Sequence, residues 1–139
     1  MGKKVKVVFD TNVWISIFME KSLRDEFSRI KQDLTVYVSE DIGLEISKVL
    51  QYPQVAKILM KIGIHEKDVL RILAVNSMKV EPEVKLHVVN EDAEDNKILE
   101  CALAAKADLI VSGDKHLLKL GKFKRTRIVT PREFFDSLI

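Results

Sequence analysis

The chain has 139 residues, of which 47% are hydrophobic and 32% charged, a size and balance typical of one globular domain with its own core. The formal net charge is only +2, so the overall charge does not indicate a nucleic-acid-binding protein. No apolar stretch reaches the ~20 residues of a transmembrane helix, and Asp10 interrupts the first apolar run too early for a signal peptide. A single cysteine, Cys101, excludes an intrachain disulfide and a cysteine-based zinc site. We therefore expect one domain, residues 1–139, in the reducing cytoplasm and not in a membrane.

The first half of the chain alternates between β-branched apolar runs and apolar stripes at helical spacing. In chain order, these patterns predict a strand over 4–9, helices over 13–18 and 22–30, a strand over 34–38, and helices over 40–50, 54–62 and 66–77. Ser39 suits the N-cap of the third helix, whose first turn holds two acids where the helix dipole favours them.

The second half continues the alternation. It predicts a strand within 79–89, a helix over 93–107, a strand over 108–112, a short helix over 115–120, a strand over 126–130, and a helix that begins at Pro131. Strands separated by helices predict a parallel sheet covered on both faces, with right-handed crossovers. In such sheets the working crevice lies outside the carboxyl ends of the strands.

Two acids follow buried strands at that edge. Asp10 ends the run "VVFD", and Asp114 follows "DLIVSG". Taken singly, each is most simply a turn residue or a helix N-cap.

Two further acids lie on the inward faces of predicted helices. Glu45 comes three residues after Ile42 and four before Val49, within an apolar stripe, and Asp95 precedes Ile98 by three in the same way. A carboxylate on an inward face is costly unless it is paired or binds a cation. The alternatives are an edge position or a salt bridge for Glu45, and a dipole-stabilising first-turn acid for Asp95.

The four acids are more informative together. If strands 4–9 and 108–112 are neighbours, all four converge on one pocket, where a hard divalent cation would relieve their repulsion. Ligation by oxygen alone suits Mg²⁺ or Mn²⁺ rather than zinc. Such a site performs phosphoryl chemistry, because the cation activates a water and stabilises the leaving oxygen.

Four segments, in this order and spacing, resemble PIN-domain ribonucleases, and most of all the stand-alone VapC-like toxins of toxin–antitoxin pairs. They are "VVFDTNVWIS", "EISKVL", "EDAEDNKILECALAAKADLIVSGDKHLL" and "RIVTPREFF". The resemblance implies a three-layer α/β fold with a five-stranded parallel sheet in the order 3-2-1-4-5. It also implies a Mg²⁺- or Mn²⁺-dependent endoribonuclease that leaves 5′-phosphate and 3′-hydroxyl ends on its RNA substrate. A homodimer and a cognate antitoxin are the partners it implies.

The resemblance also assigns residues. By motif match, the metal-binding and catalytic acids fall on Asp10, Glu45, Asp95 and Asp114. The polar residues expected to orient ligands or substrate fall on Asn12, Ser112 and Asn96. The family's usual acid-Pro-acid-acid-Asn run reads "DAEDN" here, with Ala93 and Glu94 in its second and third places. This departure leaves the role of Asp92 open between a helix cap and a ligand, and Glu94 is expected to be exposed.

Three other features are weaker signals. Lys122, Lys124 and Arg125 surround one aromatic and could hold RNA phosphates, although such a charge run is most often a solvated loop. His116, two residues after Asp114, could touch the substrate, but a surface histidine is the expected role. Cys101 is expected to fill apolar space in the core.

Other functions fit less well. A haloacid-dehalogenase-type phosphatase needs a second acid where this chain has Asn12, and a receiver domain needs a lysine at the end of its last strand, where this chain has Thr130. The serious alternative is a PIN-like module that binds RNA or a protein without cutting.

Overall fold

The computed structural model of the protein describes residues 3–89 and 93–138, which fold into an α/β architecture. The strands are β1 (Val5–Phe9), β2 (Leu34–Val38), β3 (Met78–Lys79), β4 (Leu109–Val111), β5 (Lys122–Phe123) and β6 (Thr126–Val129). The helices are α1 (Thr11–Met19), α2 (Lys21–Ile30), α3 (Glu40–Leu50), α4 (Pro53–Ile62), α5 (Glu66–Val75), α6 (Ala93–Ala105), α7 (Lys115–Leu120) and α8 (Pro131–Leu138). Within these described ranges, no helix has the length and apolar character needed to cross a bilayer.

The strands form one sheet in the order β3-β2-β1-β4-β6-β5, in which every neighbouring pair is parallel except β5 and β6. The five parallel strands follow the predicted order, with β6 in the fifth place. The sequence pattern does not predict the sixth strand, β5, which turns back on β6 through Lys124 and Arg125. Two residues are too few to show the alternation that identifies a strand in a sequence.

The third strand is shorter than the pattern predicts. Within 79–89, only the first residue belongs to a strand. The backbone N–H groups of Leu86, Val88 and Val89 donate to side chains of α6 rather than to a neighbouring strand. This segment therefore packs beside a helix. Alternation of apolar and polar residues cannot distinguish an extended segment beside a helix from a strand in a sheet.

The centre of the sheet explains the apolar run at the start of the chain. Val7, Val8 and Phe9 of β1 are all fully buried, as is typical of a parallel strand covered on both faces. The Phe9 ring meets the rings of Trp14 and Phe134 edge to face, with centroids 5.2 and 5.6 Å apart. These contacts from α1 and α8 hold the carboxyl end of β1, where the chain turns into α1.

Candidate metal centre

Asp10 is both a helix cap and a buried acid. Its Oδ1 accepts a 2.9 Å hydrogen bond from the backbone N–H of Val13, which caps α1. Its Oδ2 accepts a short hydrogen bond from the Ser112 hydroxyl. The side chain is only 7% exposed. The cap explains why the chain can change from strand to helix here, but a cap alone does not require burial of the carboxylate.

The surroundings of Asp10 disfavour its negative charge. Burial is the largest effect and raises the pKa of the Asp10 carboxyl above its ordinary range. The hydrogen bonds from Ser112 and Val13 oppose that rise, while the nearby charge of Asp114 adds to it. A cation at this position would relieve both the burial penalty and the repulsion.

Asp114 repeats the arrangement at the end of β4. Its Oδ1 accepts hydrogen bonds from the backbone N–H groups of His116 (2.8 Å) and Leu117 (3.4 Å), which caps α7. The Asp114 backbone N–H donates to the Ser112 hydroxyl oxygen over 2.9 Å. Ser112, which is fully buried, therefore joins the two acids, because its hydroxyl donates to Asp10 and accepts from Asp114.

Glu45 and Asp95 reach the same place from α3 and α6. Glu45 is half-buried, and Asp95 is 6% exposed in the first turn of its helix. One cavity of about 140 Å³ collects these side chains; it is lined by Asp10, Thr11, Asn12, Glu45, Glu94, Asp95, Ile98 and Asp114. Larger clefts of about 370, 400 and 410 Å³ lie elsewhere, but this cavity is the one in which the predicted acids meet. The structure thus brings together the four acids and Asn12.

One group of possible metal-donor atoms includes His116, which the sequence did not assign as a ligand. One carboxylate oxygen each from Asp95 and Asp114 and one ring nitrogen of His116 all lie within 4.8 Å of one another. His116 Nδ1 is 3.6 Å from Asp114 Oδ1, and the side chain is 34% exposed. The expectation of a simple surface histidine is therefore incomplete. The only signal in the sequence is the Asp-x-His spacing, which is too common to indicate a site.

A model of the PIN-domain family matches residues 6–116. The chain belongs to the PIN-domain family. It is 31% identical to "Uncharacterized protein MJ1680" of Methanocaldococcus jannaschii, in an alignment that covers 96% of this chain and 92% of that protein. The fold is similar to a chain in the crystal structure of VapBC2 from Rickettsia felis bound to a DNA fragment from their promoter. That similarity has a TM-score of 0.61 at 12% identity and covers 91% of this chain and 98% of that one. PIN domains are in general nucleases that use divalent metals, and the acidic donor set described above suits such ions.

Asn96 lies outside the cavity of this PIN domain. Its Oδ1 accepts from the backbone N–H groups of Val88 and Val89, both at 2.9 Å, and its Nδ2 donates to the Val89 carbonyl at 2.7 Å. The amide therefore holds the segment before α6, on which Asp95 is carried, rather than facing the acids. Asp92, whose role the sequence leaves open, lies outside the described residues. Glu94 is exposed, as expected, yet it lines the cavity.

The three basic residues predicted to contact RNA lie on a hairpin away from the acids of this PIN domain. Lys122, Lys124 and Arg125 are exposed on the β5–β6 hairpin. The carbonyl of Val129, at the carboxyl end of β6, accepts from the Ser112 N–H. The hairpin turn at Lys124 and Arg125 lies at the opposite end of the four-residue strand β6. At ~3.3 Å per residue, the turn is roughly 10 Å or more from the edge of the sheet at which the acids lie.

Proposed function

We propose that this PIN-domain protein is a metal-dependent endoribonuclease that hydrolyses phosphodiester bonds in RNA. The observation that carries the proposal is that five carboxylates, the four predicted acids and Glu94, line one cavity at the carboxyl ends of the neighbouring strands β1 and β4. Carboxylates gathered in this way are costly without a cation and are the ligands that Mg²⁺ and Mn²⁺ favour.

The residues take distinct roles in this proposal. Asp10, Asp95 and Asp114 hold the cation, with Glu45 beside them, and the bound cation supplies a Lewis acid for water activation and leaving-group stabilisation. Ser112 ties the Asp10 carboxylate to the backbone of Asp114, because its hydroxyl donates to Asp10 and accepts from the Asp114 N–H. The exposed Asn12 side chain lines the cavity mouth, where its amide can donate to a phosphate oxygen of the substrate.

The basic hairpin extends the proposed RNA contact. Lys122 lies directly opposite Arg127 in the antiparallel pair, and like charges in that position destabilise a hairpin. A polyanion relieves this repulsion. We therefore assign Lys122, Lys124 and Arg125 to the phosphates of an RNA strand that continues past the acid edge, rather than to the scissile phosphate.

A cleavage assay on single-stranded and structured RNA tests the proposal, with added Mg²⁺ or Mn²⁺ and with chelator. Asp10→Asn keeps the shape and the helix cap but removes the charge, so it should lower cleavage by several orders of magnitude while the protein stays folded. Asp136→Asn, on the exposed side of α8, is the matched control and should cut like the wild type. A wild-type protein that binds RNA but does not cut it with either metal would favour the non-catalytic binding module.

Toxin function is the physiological part of the proposal. We infer a cognate antitoxin and a homodimer, supported by the VapC-like fold and by exposed apolar side chains on three neighbouring helices, Leu44, Met60 and Val75. Such an enzyme would act in the cytoplasm. Expression in a host should arrest growth, and co-expression of a short adjacent reading frame should restore it. Continued growth of a host that contains active enzyme would refute the toxin role and leave the proposed nuclease activity standing.

A further inference from the structure

His116 contributes an unexpected nitrogen atom to the acidic site. A ring nitrogen of His116 and one oxygen each from Asp95 and Asp114 lie within 4.8 Å of one another. Two ligands on opposite sides of an ion, each at about 2.1–2.2 Å, are about 4.3 Å apart, and neighbouring ligands are closer. The three atoms therefore need only a small inward adjustment to share one cation.

One ring nitrogen of His116, Nδ1, has no hydrogen-bonding partner among the described residues. Nδ1 is shielded from solvent and accepts or donates no hydrogen bond there. The Asp114 carboxylate oxygen at 3.6 Å is too distant for one. A buried polar atom without a partner is costly, and a bound ion or water is among the explanations for one.

A backbone hydrogen bond holds His116 beside Asp114. Asp114 Oδ1 accepts from the His116 N–H at 2.8 Å, so the two residues belong to one tight turn. Leu117, the next residue, is fully buried and anchors the short helix α7. An ionised carboxylate has about four lone-pair positions, so the capping bonds leave Asp114 able to bind a cation.

We propose that His116 is a nitrogen ligand of the metal in this site and that it makes the site favour Mn²⁺ over Mg²⁺. This inference rests on the metal-binding part of the proposed function. Mg²⁺ binds through oxygen in near-ideal octahedra and keeps several waters. Both ions favour oxygen ligands, but Mn²⁺ is a transition-metal ion and accepts an imidazole nitrogen more readily than Mg²⁺ does.

Pulsed electron paramagnetic resonance of the Mn²⁺-loaded protein tests the proposal, because it detects a nitrogen nucleus bonded to the ion. The wild type should show a ¹⁴N coupling that disappears in His116→Gln. Calorimetric titration with Mn²⁺ and with Mg²⁺ supplies the second measurement. His116→Gln should weaken Mn²⁺ binding by about tenfold or more and change Mg²⁺ binding much less.

Two further variants separate the ligand from fold effects. His116→Asp replaces the nitrogen by an oxygen donor, so it should still bind metal but lose both the ¹⁴N signal and the preference for Mn²⁺. His87→Gln alters an exposed histidine of the segment before α6 and should leave both readouts unchanged.

The outcomes distinguish this inference from the proposed function. Mn²⁺ binding to the wild type without a ¹⁴N coupling would overturn the role of His116 and leave a metal-dependent nuclease intact. A coupling that persists in folded His116→Gln would likewise overturn it, since another nitrogen would be the ligand. Failure of the wild type to bind either metal would overturn the metal site itself.

Discussion

Asp10→Asn should stabilise the protein when no metal is present, although it removes a buried hydrogen-bonding group. The pKa of Asp10 is raised, mainly by burial, despite the opposing hydrogen bonds from Ser112 and Val13. A raised pKa means that the folded protein favours the neutral form, so at neutral pH the ionised Asp10 reduces the free energy of unfolding. Asparagine has no charge and nearly the same volume, and it caps a helix as well as aspartate does.

Two opposing terms give a lower bound for the magnitude, and relief of the burial penalty, the largest cause of the raised pKa, adds to it. Asp10 and Asp114 line one cavity, and two such charges roughly 5–7 Å apart repel by about 2–3 kcal/mol at an effective dielectric constant near ~20. Loss of the charge-assisted hydrogen bond from Ser112 costs about 1.5 kcal/mol. The net gain should be about 1 kcal/mol, which raises the melting temperature of a 139-residue domain by about 3 °C.

Thermal melts in chelator and in excess Mg²⁺ or Mn²⁺ measure this effect. Metal should stabilise the wild type by mass action and Asp10→Asn much less. In chelator, the wild type should lose stability as the pH rises through the raised pKa of Asp10. The difference in melting temperature between the wild type and Asp10→Asn should therefore become smaller at acidic pH. Asp136→Asn is the control and should show neither effect. If Asp10→Asn melts lower than the wild type in chelator and keeps the full response to metal, Asp10 is only a helix cap.

Three other changes test separate features. Replacing Lys122, Lys124 and Arg125 with glutamine should reduce the slope of log K for single-stranded RNA binding against log salt concentration by about 2, at ~0.7 per phosphate contact. An unchanged slope would show that the hairpin is an ordinary solvated surface. Asn96→Ala removes three hydrogen bonds to the segment before α6 and should lower the free energy of unfolding by about 2–4 kcal/mol. The backbone amides of that segment should exchange faster in Asn96→Ala than in Asn96→Asp. Burial raises the pKa of the Cys101 thiol to about 12. The native protein should therefore not react with a thiol reagent at neutral pH, whereas the denatured protein should. Rapid labelling of the native protein would show that Cys101 is accessible.

The sequence by itself determined most of the elements and the edge of the sheet at which the acids lie. The apolar runs before Asp10 and Asp114 are predicted as buried strands, and an acid after each of two parallel strands lies at their carboxyl ends. The inward positions of Glu45 and Asp95 follow from helical spacing alone. Periodicity contains this information because it records which face of each element is buried.

Tertiary structure alone decided which elements are neighbours and where individual side chains point. The hydrogen bond between Ser112 and Asp10 joins residues 102 positions apart, and the family resemblance, not the pattern, predicted that their strands are adjacent. Asn96 turns to the backbone of the preceding segment, and His116 turns towards the acids. Both are polar residues within two positions of a predicted ligand, so no pattern in the sequence separates them. The physical reason is that periodicity reports burial along one element, whereas a site depends on pairing between distant elements and on the rotamer that each side chain adopts there.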